Sequence, residues 1–504
     1  MIKIMMKRRT LGRLIEANMD NRMANYNRTA GSTKIGAILN KAIISILAVF
    51  SLYLIYLNFN YFVSEYIRIY TICTLLVLSI FVCIHFVSCR ITISNKAFVA
   101  VIFLLVIISK GILIFFTDTK PVSDFAVFYQ YAIKLLNGEK WFQDILYFKT
   151  WAYQTGPVIY YAVIMKLFGI GLLPLKLVNC FFIAGINVLI YLIAQKVSNE
   201  YTARVVALLY LLYPAPYFLA SVLTNQHFAA CMFLAAVYIL LSKRLNWAVK
   251  GIVSGAVIAL GNVVRPIGII IIVALIIWGI IEKITNRKWL VMGSAILVLI
   301  SYIFVSYGCS VLVKLTGINS EGLANNFPLW KFVVGLNYET TGQFSFDDEN
   351  NIYNIKDLNE RNNTAKQVIM QRISVGFRKL VVLINEKQKI MWARTDTLSW
   401  GFYQKIDGQL VPSNEVKKLE PIVLKLEKIY YIFIFILMLL GLVRLLLDNK
   451  TNQGILLLSL ILLCYFGIHF FIEIQVRYRY FAVIIVFIIA AKGSEMLLCR
   501  KHCF

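Results

Sequence analysis

Charged side chains are scarce in this sequence. Only 15% of its 504 residues are Asp, Glu, Lys or Arg, whereas 60% are hydrophobic and the mean hydropathy is +0.74. Water-soluble domains are about 25% charged and about 45–50% apolar. The composition therefore excludes a water-soluble enzyme and a disordered chain, and we expect a protein that lies in a lipid bilayer.

The signatures of several enzyme classes are also missing. The sequence contains no Gly-rich phosphate-binding loop, no HExxH pattern and no Gly-x-Ser-x-Gly elbow, so an ATP-driven enzyme or a serine hydrolase has no support. None of the nine cysteines lies within 310–428, which excludes a disulfide framework for that polar stretch. No internal repeat is visible, and this weakens the case for a transporter built from duplicated halves.

The charges that are present are unevenly distributed. Lys and Arg number 51 against 25 Asp and Glu, and the first 34 residues hold eight of these cations against two acids. Such an excess is typical either of nucleic-acid binding or of the cytoplasmic loops of a membrane protein. Because the cations cluster beside apolar runs, we predict a basic cytoplasmic extension over 1–34 and no nucleic-acid partner.

Twelve apolar runs are long enough to cross roughly 30 Å of hydrocarbon. They lie at about 35–57, 67–88, 98–116, 172–194, 203–219, 222–241, 247–264, 267–281, 289–309, 429–447, 455–472 and 481–498. If the N-terminus is cytoplasmic and successive runs cross the membrane in alternating directions, the basic loops lie on the cytoplasmic face and the C-terminus is cytoplasmic too. The run at 158–170 is too short to cross upright, so we predict a helix at the outer surface.

These runs predict an all-α polytopic membrane protein with a smaller extracytoplasmic domain. Two additional N-terminal helices occupy 35–97, and the main transmembrane module occupies 98–309 with an outer loop at 117–171. The extracytoplasmic domain covers 310–428. Three further transmembrane helices and a basic tail complete the chain over 429–504.

Asp124 is the first candidate for chemistry. It follows Ser123 at the start of a predicted helix over 123–136, with Ser123 as the N-cap and Phe128, Tyr131 and Leu135 on an apolar face. A carboxylate in the first turn also complements the helix dipole, and that structural role is the competing interpretation.

Two further candidates lie at predicted outer turns. Arg265 stands between the seventh and eighth spans, where it either binds an anionic ligand such as a lipid phosphate or extends to ordinary headgroups. Asn225, Gln226 and His227 begin the sixth span, where they either bind a substrate by hydrogen bonds or cap the helix.

The last candidate is the outer turn from Glu473 to Tyr480, between the last two spans. It contains Arg477 and Arg479, and two arginines on the outer face run against the positive-inside rule. Guanidinium groups suit anionic ligands, so this turn indicates an anion site.

Four motifs together resemble the polyprenyl-phosphate-sugar-dependent glycosyltransferases of the GT-C superfamily, similar to protein O-mannosyltransferases and lipid A aminoarabinose transferases. They are Ser123-Asp124-Phe125 with Tyr129 and Ala132, Gly156-Pro157-Val158-Ile159-Tyr160-Tyr161 running into Lys166-Leu167-Phe168-Gly169, Val264-Arg265-Pro266, and the stretch from Glu473 to Tyr478. The resemblance covers most of 98–309 and the final hairpin.

The resemblance implies a seven-span catalytic module formed by spans three to nine. It makes Asp124 the catalytic base and assigns the donor phosphate to Arg265, Arg477 and Lys149. Thr155 stands where the aminoarabinose transferases have a lysine, and Lys149 is the substitute for that lysine. Phe125 stands where many relatives have a second acid. The implied substrate-binding residues are Tyr129, Tyr153, Gln154, Asn225, Gln226, His227, Glu473 and Tyr478.

The expected reaction is transfer of a sugar, with inversion, from a polyprenyl-phosphate monosaccharide to a polysaccharide, teichoic acid, lipid or protein on the outer face of the cell membrane. A carboxylate removes the proton of the acceptor hydroxyl, and cations stabilise the leaving phosphate. No cofactor and no metal ligands are assigned, and the sequence does not decide whether a divalent metal ion takes part. The alternatives are an outer-face polysaccharide polymerase or ligase that uses a diphosphate-linked glycan, and a non-catalytic transporter of lipid-linked glycans.

The topology can be tested by single-cysteine labelling in a cysteine-free background. Cysteines at positions 265 and 350 should react with a membrane-impermeant maleimide added outside, whereas one at 287 should react only after permeabilisation. Labelling of position 265 from the cytoplasmic side alone would contradict both the surface position of 158–170 and the family resemblance.

Overall fold

The structure is a computed structural model that describes residues 35–62, 66–90, 92–117, 119–286, 288–394, 401, 403–406, 409–412, 419–448 and 452–497. The predicted basic extension over 1–34 and the end of the basic tail lie outside these residues. The described part is almost entirely helical.

The N-terminal part consists of three long apolar helices, which correspond to the first three predicted spans. They are α1 (Ile35–Phe59), α2 (Ile67–Arg90) and α3 (Asn95–Phe116). Ser94 caps α3, because its hydroxyl accepts a hydrogen bond from the backbone amide of Ala97. Many apolar side chains of these helices are exposed, including Ile46 and Leu104, as expected of surfaces that face lipid.

The outer loop folds into three short helices: α4 (Asp124–Leu136), α5 (Leu146–Thr150) and α6 (Thr155–Phe168). The turns Phe142–Asp144 and Ala152–Gln154 connect them in 3₁₀ conformation. The short apolar run at 158–170 is therefore largely helical. Helix α6 is followed by Gly169, which has a φ of +97°, a backbone conformation that glycine adopts readily but that strains other residues.

The next group comprises α7 (Leu172–Val197), α8 (Glu200–Leu212), α9 (Pro214–Leu219) and α10 (Gln226–Leu240). The prediction of a single helix over 203–219 is wrong, because the helix breaks at Tyr213. Pro214 and Pro216 cannot donate backbone hydrogen bonds to the preceding turn. Carbonyls in the last turn of α8 accept from side chains instead, with Lys110 Nζ 2.8 Å from the Leu211 oxygen and the Tyr430 hydroxyl 2.6 Å from the Leu209 oxygen.

Helices α11 (Trp247–Val264), α12 (Gly268–Asn286) and α13 (Trp289–Leu315) form a tightly packed set. Glycines allow α11 and α13 to approach closely, since a Cβ on Gly255 would lie 2.4 Å from the Val298 oxygen. Helix α13 continues six residues beyond the predicted end of its span.

The segment between α13 and the C-terminal helices contains α14 (Trp330–Gly335), α15 (Phe346–Asp348), α16 (Leu358–Ser374) and α17 (Phe377–Gln388), with π-helical turns at Glu349–Tyr353 and Lys389–Ala393. Strands β1 (Tyr403–Ile406) and β2 (Gln409–Pro412) form an antiparallel hairpin. A second, smaller core holds this segment together and contains Phe327, Trp330, Val333, Val334, Ile352, Tyr353 and Ala365.

The C-terminal part consists of α18 (Glu420–Leu447), α19 (Gln453–Ile468) and α20 (Tyr480–Leu497). Helix α20 is buried over most of its length and packs closely on α18. Gly441 and Gly493 face each other at this contact. A Cβ on Gly493 would lie 1.7 Å from the Leu437 carbonyl oxygen.

Nine helices in the described ranges are long and apolar enough to cross a membrane. They match nine of the twelve predicted spans, and α10 and α19 are shorter apolar helices. The remaining predicted span is the broken pair α8 and α9. The fold thus fits an all-α polytopic membrane protein.

The contact between α18 and α20 predicts the effect of adding one methyl group. Gly493→Ala should lower stability by about 1–3 kcal/mol, because the new Cβ forces two helix backbones apart. Thermal unfolding of the purified full chain measures the change.

Gly467→Ala is the matched control, since a Cβ added at this glycine would have no atom within 4 Å. It should leave the unfolding temperature unchanged or raise it, because alanine favours helix more than glycine does. Equal destabilisation by both substitutions would contradict the close packing at Gly493.

Candidate functional site

A polar cavity of about 940 Å³ lies where the outer loop, the segment after α13 and the last interhelical turn meet. Six residues from the sequence prediction line it, although they are spread over more than 350 positions of the chain. They are Asp124, Tyr153, Gln154, Glu473, Arg477 and Tyr478.

Asp124 is the first residue of α4 and projects into this cavity. Ser123 occupies the N-cap position, as predicted, with φ +52°, but its side chain makes no capping hydrogen bond. One carboxylate oxygen of Asp124, Oδ1, accepts from the Tyr147 hydroxyl at 3.1 Å. The other, Oδ2, lies 3.8 Å from Arg477 Nη2.

Tyr147 holds the Asp124 carboxylate from α5, and the sequence did not reveal it. Its ring is in edge contact with Phe148 and Trp151, 5.1 and 5.4 Å between centres. Burial, together with the negative charge of Asp124, raises the pKa of Tyr147 well above its ordinary value of 10. The hydroxyl therefore stays protonated at neutral pH and remains a donor to Asp124.

Arg477 is oriented by its own turn. Its Nε donates to Gln475 Oε1 at 2.6 Å, and Gln475 Nε2 donates to Glu473 Oε1 at 2.8 Å. The guanidinium also lies 5.0 Å from the centre of the Phe125 ring. The turn thus forms a continuous polar chain from Glu473 to Asp124.

Glu473 is bound by Lys331, which the sequence also failed to indicate. The two side chains form an ion pair, and the backbone amide of Glu473 donates to the Lys331 carbonyl at 2.8 Å. Burial opposes the charged form of Glu473, but Lys331 and Gln475 hold its pKa below the ordinary value. Burial likewise opposes the charge on Lys331, and Glu473 overcomes it and raises the Lys331 pKa. Glu473 is therefore an ionised structural partner and not a proton donor.

Arg265 lies behind the cavity and not within its lining. Its Nη1 donates to Asn225 Oδ1 at 3.2 Å, and its guanidinium lies 5.1 Å from the centre of the Tyr478 ring. Gln226 lines a small gap together with Arg265 and Tyr478. Arg265 therefore contacts the cavity through Tyr478.

The polar residues at the start of α10 are engaged inside the protein. Asn225 holds the N-cap position of α10, but its side chain makes no capping hydrogen bond, and its Nδ2 donates to the Val264 carbonyl at 2.8 Å instead. The fully buried ring of His227 contacts the Tyr480 hydroxyl at 2.7 Å and the Leu219 carbonyl at 3.0 Å. These contacts attach α10 to its neighbours.

Lys149 and Tyr129 are the two remaining predicted site residues, and neither lines the described cavity. The Lys149 side chain is exposed, and its backbone carbonyl accepts from Asn326 at 2.8 Å. Tyr129 is half-buried on α4. The structure thus places neither residue in the wall of the cavity that contains Asp124 and Arg477.

The rest of the cavity wall comes largely from the segment after α13. The Trp151 ring stacks on Tyr353 with 4.8 Å between centres and 3° between planes, and Trp330 lies beside them. Charged groups that the sequence did not single out are Lys331, Glu339, Glu349 and Arg394. Aromatic rings beside several polar groups in one cavity are typical of a ligand-binding site.

Within the described ranges, no group of three or more His, Cys, Asp or Glu side chains is placed to hold a metal ion. No family model, curated protein or solved structure matches this chain.

The Lys331–Glu473 pair can be tested by a double-mutant cycle. Glu473→Gln should destabilise the protein by about 1–3 kcal/mol, because it leaves the Lys331 ammonium without its charged partner. Lys331→Met in the same chain should recover part of that loss. Thermal unfolding of the two single variants and the double variant measures the coupling, and strict additivity would contradict the pair.

The same pair predicts a pH dependence. The folded-state pKa of Glu473 lies below the ordinary value of 4.5, so its stabilising contribution is complete above that value and is lost as the pH falls through the folded-state pKa. Acid should therefore lower the unfolding temperature of the natural protein more than that of Glu473→Gln. Parallel acid profiles would contradict this assignment.

Proposed function

We propose that this protein is a membrane glycosyltransferase. It takes a sugar from a polyprenyl-phosphate monosaccharide, such as an undecaprenyl-phosphate sugar, and transfers it with inversion to a hydroxyl of a cell-envelope acceptor. The observation that carries the proposal is the polar cavity in which Asp124 faces Arg477. The cavity opens on the outer face of the cell membrane, and both termini lie in the cytoplasm.

This proposal includes twelve membrane crossings. The nine long helices account for nine of them, and α10, α19 and the pair α8 with α9 supply three short crossings. Helices α3 and α7 to α13 then form the seven-span module of the GT-C type, with α4 to α6 at the outer surface. The segment between α13 and α18 becomes the extracytoplasmic domain.

Asp124 is the general base of the proposed reaction. Its Oδ1 is held by the protonated hydroxyl of Tyr147, which leaves Oδ2 as the oxygen that receives a proton. As the acceptor oxygen bonds to the anomeric carbon, its proton passes to Asp124, and the electrons of the breaking C–O bond go to the phosphate. The phosphate leaves as an anion and needs no proton donor.

Arg477 and Arg394 are the proposed partners of the donor phosphate. Both line the cavity, whereas the Lys331 charge is paired with Glu473. When the donor phosphate binds, it draws Arg477 towards itself and weakens the contact between Arg477 and Asp124. Donor binding therefore frees the Asp124 carboxylate to accept a proton. Arg265 supports this site through Tyr478, and Lys149 is not included.

An outer-face polymerase or ligase is the second candidate. The observation that favours it is the contribution of Lys331, Glu339, Glu349 and Arg394 from the segment after α13 to the same cavity. In that reaction the leaving group is a diphosphate, and Asp124 has no essential role.

A transporter is less well supported. Lys110, within the apolar part of α3, is fully buried and donates to the Leu211 carbonyl at the end of α8, with its ammonium 3.5 Å from the centre of the Tyr217 ring. Its contacts therefore complete a broken helix and do not form a translocation path.

The central prediction concerns Asp124→Asn. The amide keeps the size of the side chain but removes its basicity, so turnover should fall by roughly two to four orders of magnitude. Transfer of radiolabelled sugar from polyprenyl-phosphate donors to membrane acceptors measures the effect. Asp144→Asn is the matched control, because Asp144 lies exposed in the same outer loop away from the cavity lining.

Full activity of Asp124→Asn would reject the proposed base. The polymerase or ligase would be supported instead if Glu349→Gln lost polymer formation from diphosphate-linked glycans while Asp124→Asn stayed active.

Arg477→Lys tests the phosphate site. Lysine keeps the charge but loses the planar pair of donors, so the KM for the donor should rise about tenfold, with the loss of roughly one charge-assisted hydrogen bond. Lys134→Met is the control, because Lys134 is paired with Glu139 at the far end of α4. An unchanged donor KM in Arg477→Lys would remove Arg477 from the phosphate site.

A further inference from the structure

A second cavity lies between α1 and α17, away from the polar site. Its volume is about 740 Å³, and its lining is almost wholly apolar. The α1 side consists of Ser45, Ile46, Val49, Phe50 and Tyr53, and the opposite side of Val381, Ile384, Asn385, Gln388 and Phe470. None of these ten side chains carries a charge.

This groove opens towards the bilayer. Ile46 and Val49 on α1 are 58% and 68% exposed, and Val381 on α17 is 46% exposed. Because α1 is one of the helices that can cross a membrane, the exposed side chains of Ile46 and Val49 face hydrocarbon. The groove is therefore open to the tails of lipids.

The groove has the depth of one leaflet. From Ser45 to Tyr53 it follows α1 for about 12 Å, against roughly 30 Å for the whole hydrocarbon core. The chain after α17 follows α1 towards its end: the Tyr53 hydroxyl donates to Asn385 Oδ1 at 2.5 Å, and Asn58 Nδ2 donates to the Trp392 carbonyl at 3.1 Å. Gln388 lies between these two contacts in the chain, near the C-terminal end of α1, which is the outer end in the proposed topology.

Gln388 carries the second, independent observation. Its side chain lines the groove and is 1% exposed, yet neither of its amide atoms has a hydrogen-bond partner among the residues that the structure describes. A buried amide left in this way costs free energy that a bound group with a donor or an acceptor recovers. In the proposed topology, Gln388 lies where the hydrocarbon core gives way to the ester linkages of membrane lipids.

We propose that this groove binds one glycerophospholipid of the outer leaflet. An acyl chain lies along Ile46, Val49 and Val381, and Gln388 donates to an ester carbonyl of the lipid. The uncharged lining favours a neutral ester over the phosphate of a polyprenyl carrier, which needs cations. The bound lipid fills the space between the first membrane helix and the segment that walls the polar cavity.

The face of α17 agrees with this position. Phe377, Val381 and Ile384 follow one another at helical spacing, and Phe377 is 83% exposed. Arg378 and Lys379 beside them suit phospholipid headgroups. This amphipathic pattern is typical of a helix at a membrane interface. The inference rests on the proposed topology but not on the proposed enzymatic activity.

The experiment measures lipids that co-purify with the full chain in mild detergent, by solvent extraction and mass spectrometry. The natural protein should retain about one glycerophospholipid per chain. Gln388→Leu keeps the side-chain volume but removes the amide, and retention should fall about fivefold, the factor that one neutral hydrogen bond contributes. Val49→Trp should also displace the lipid by filling the groove.

Leu52→Trp is the matched control, because Leu52 is 58% exposed on α1 but does not line the groove. It should retain the lipid, and gel filtration and thermal unfolding should show all three variants folded. Equal lipid retention by Gln388→Leu and the natural protein would overturn the proposal. Recovery of a polyprenyl phosphate in place of a phospholipid, or of detergent only, would overturn it as well.

Discussion

The polar cavity depends on the attachment of the turn between α19 and α20 to the segment that follows α13. Two backbone hydrogen bonds join them, from Glu473 to the Lys331 carbonyl at 2.8 Å and from Ile474 to the Gly342 carbonyl at 2.9 Å. The Lys387 ammonium adds bonds to the carbonyls of Gly335, Phe470 and Ile472 at 2.7, 2.9 and 2.8 Å. Gly335 makes this approach possible, since a Cβ there would lie 2.2 Å from the Phe471 oxygen.

This attachment places opposite charges in one polar cavity. With the turn fixed, Arg477 extends towards Asp124 from one side while Tyr147 holds the carboxylate from the other. Tyr147 on α5 orients Asp124, and Gln475 in the same turn orients Arg477, so both charged groups are fixed by hydrogen bonds. Such preorganisation is what a reaction that develops charge in its transition state requires. It supports the proposed transfer of a sugar from a lipid phosphate.

The bilayer imposes a second constraint, which appears at the break between α8 and α9. Water cannot satisfy backbone carbonyls at membrane depth, so any interruption of a helix must be compensated by the protein. Lys110 and Tyr430 donate to the carbonyls of Leu211 and Leu209 in the last turn of α8, where the helix breaks. A lysine buried in a span is therefore a structural donor here, although an ionisable group at that depth is often functional.

Local patterns in the amino-acid sequence were enough to predict most helices of the membrane region and the start of α4. A span is a local property, because about 20 apolar residues in lipid must satisfy their hydrogen bonds within one helix. For the same reason Asp124 could be placed at a helix start from neighbouring residues alone.

Three-dimensional packing was needed to find the other residues of the cavity. It brings Tyr147, Lys331 and Arg394 to the same cavity as Asp124, and it leaves Arg265 and Lys149 outside the lining. Glu473 and Lys331 are 142 residues apart in the chain, and neither stands in a periodic pattern that could indicate its partner. Such long-range polar contacts are selected by the packing of whole elements, and no local window of sequence contains that information.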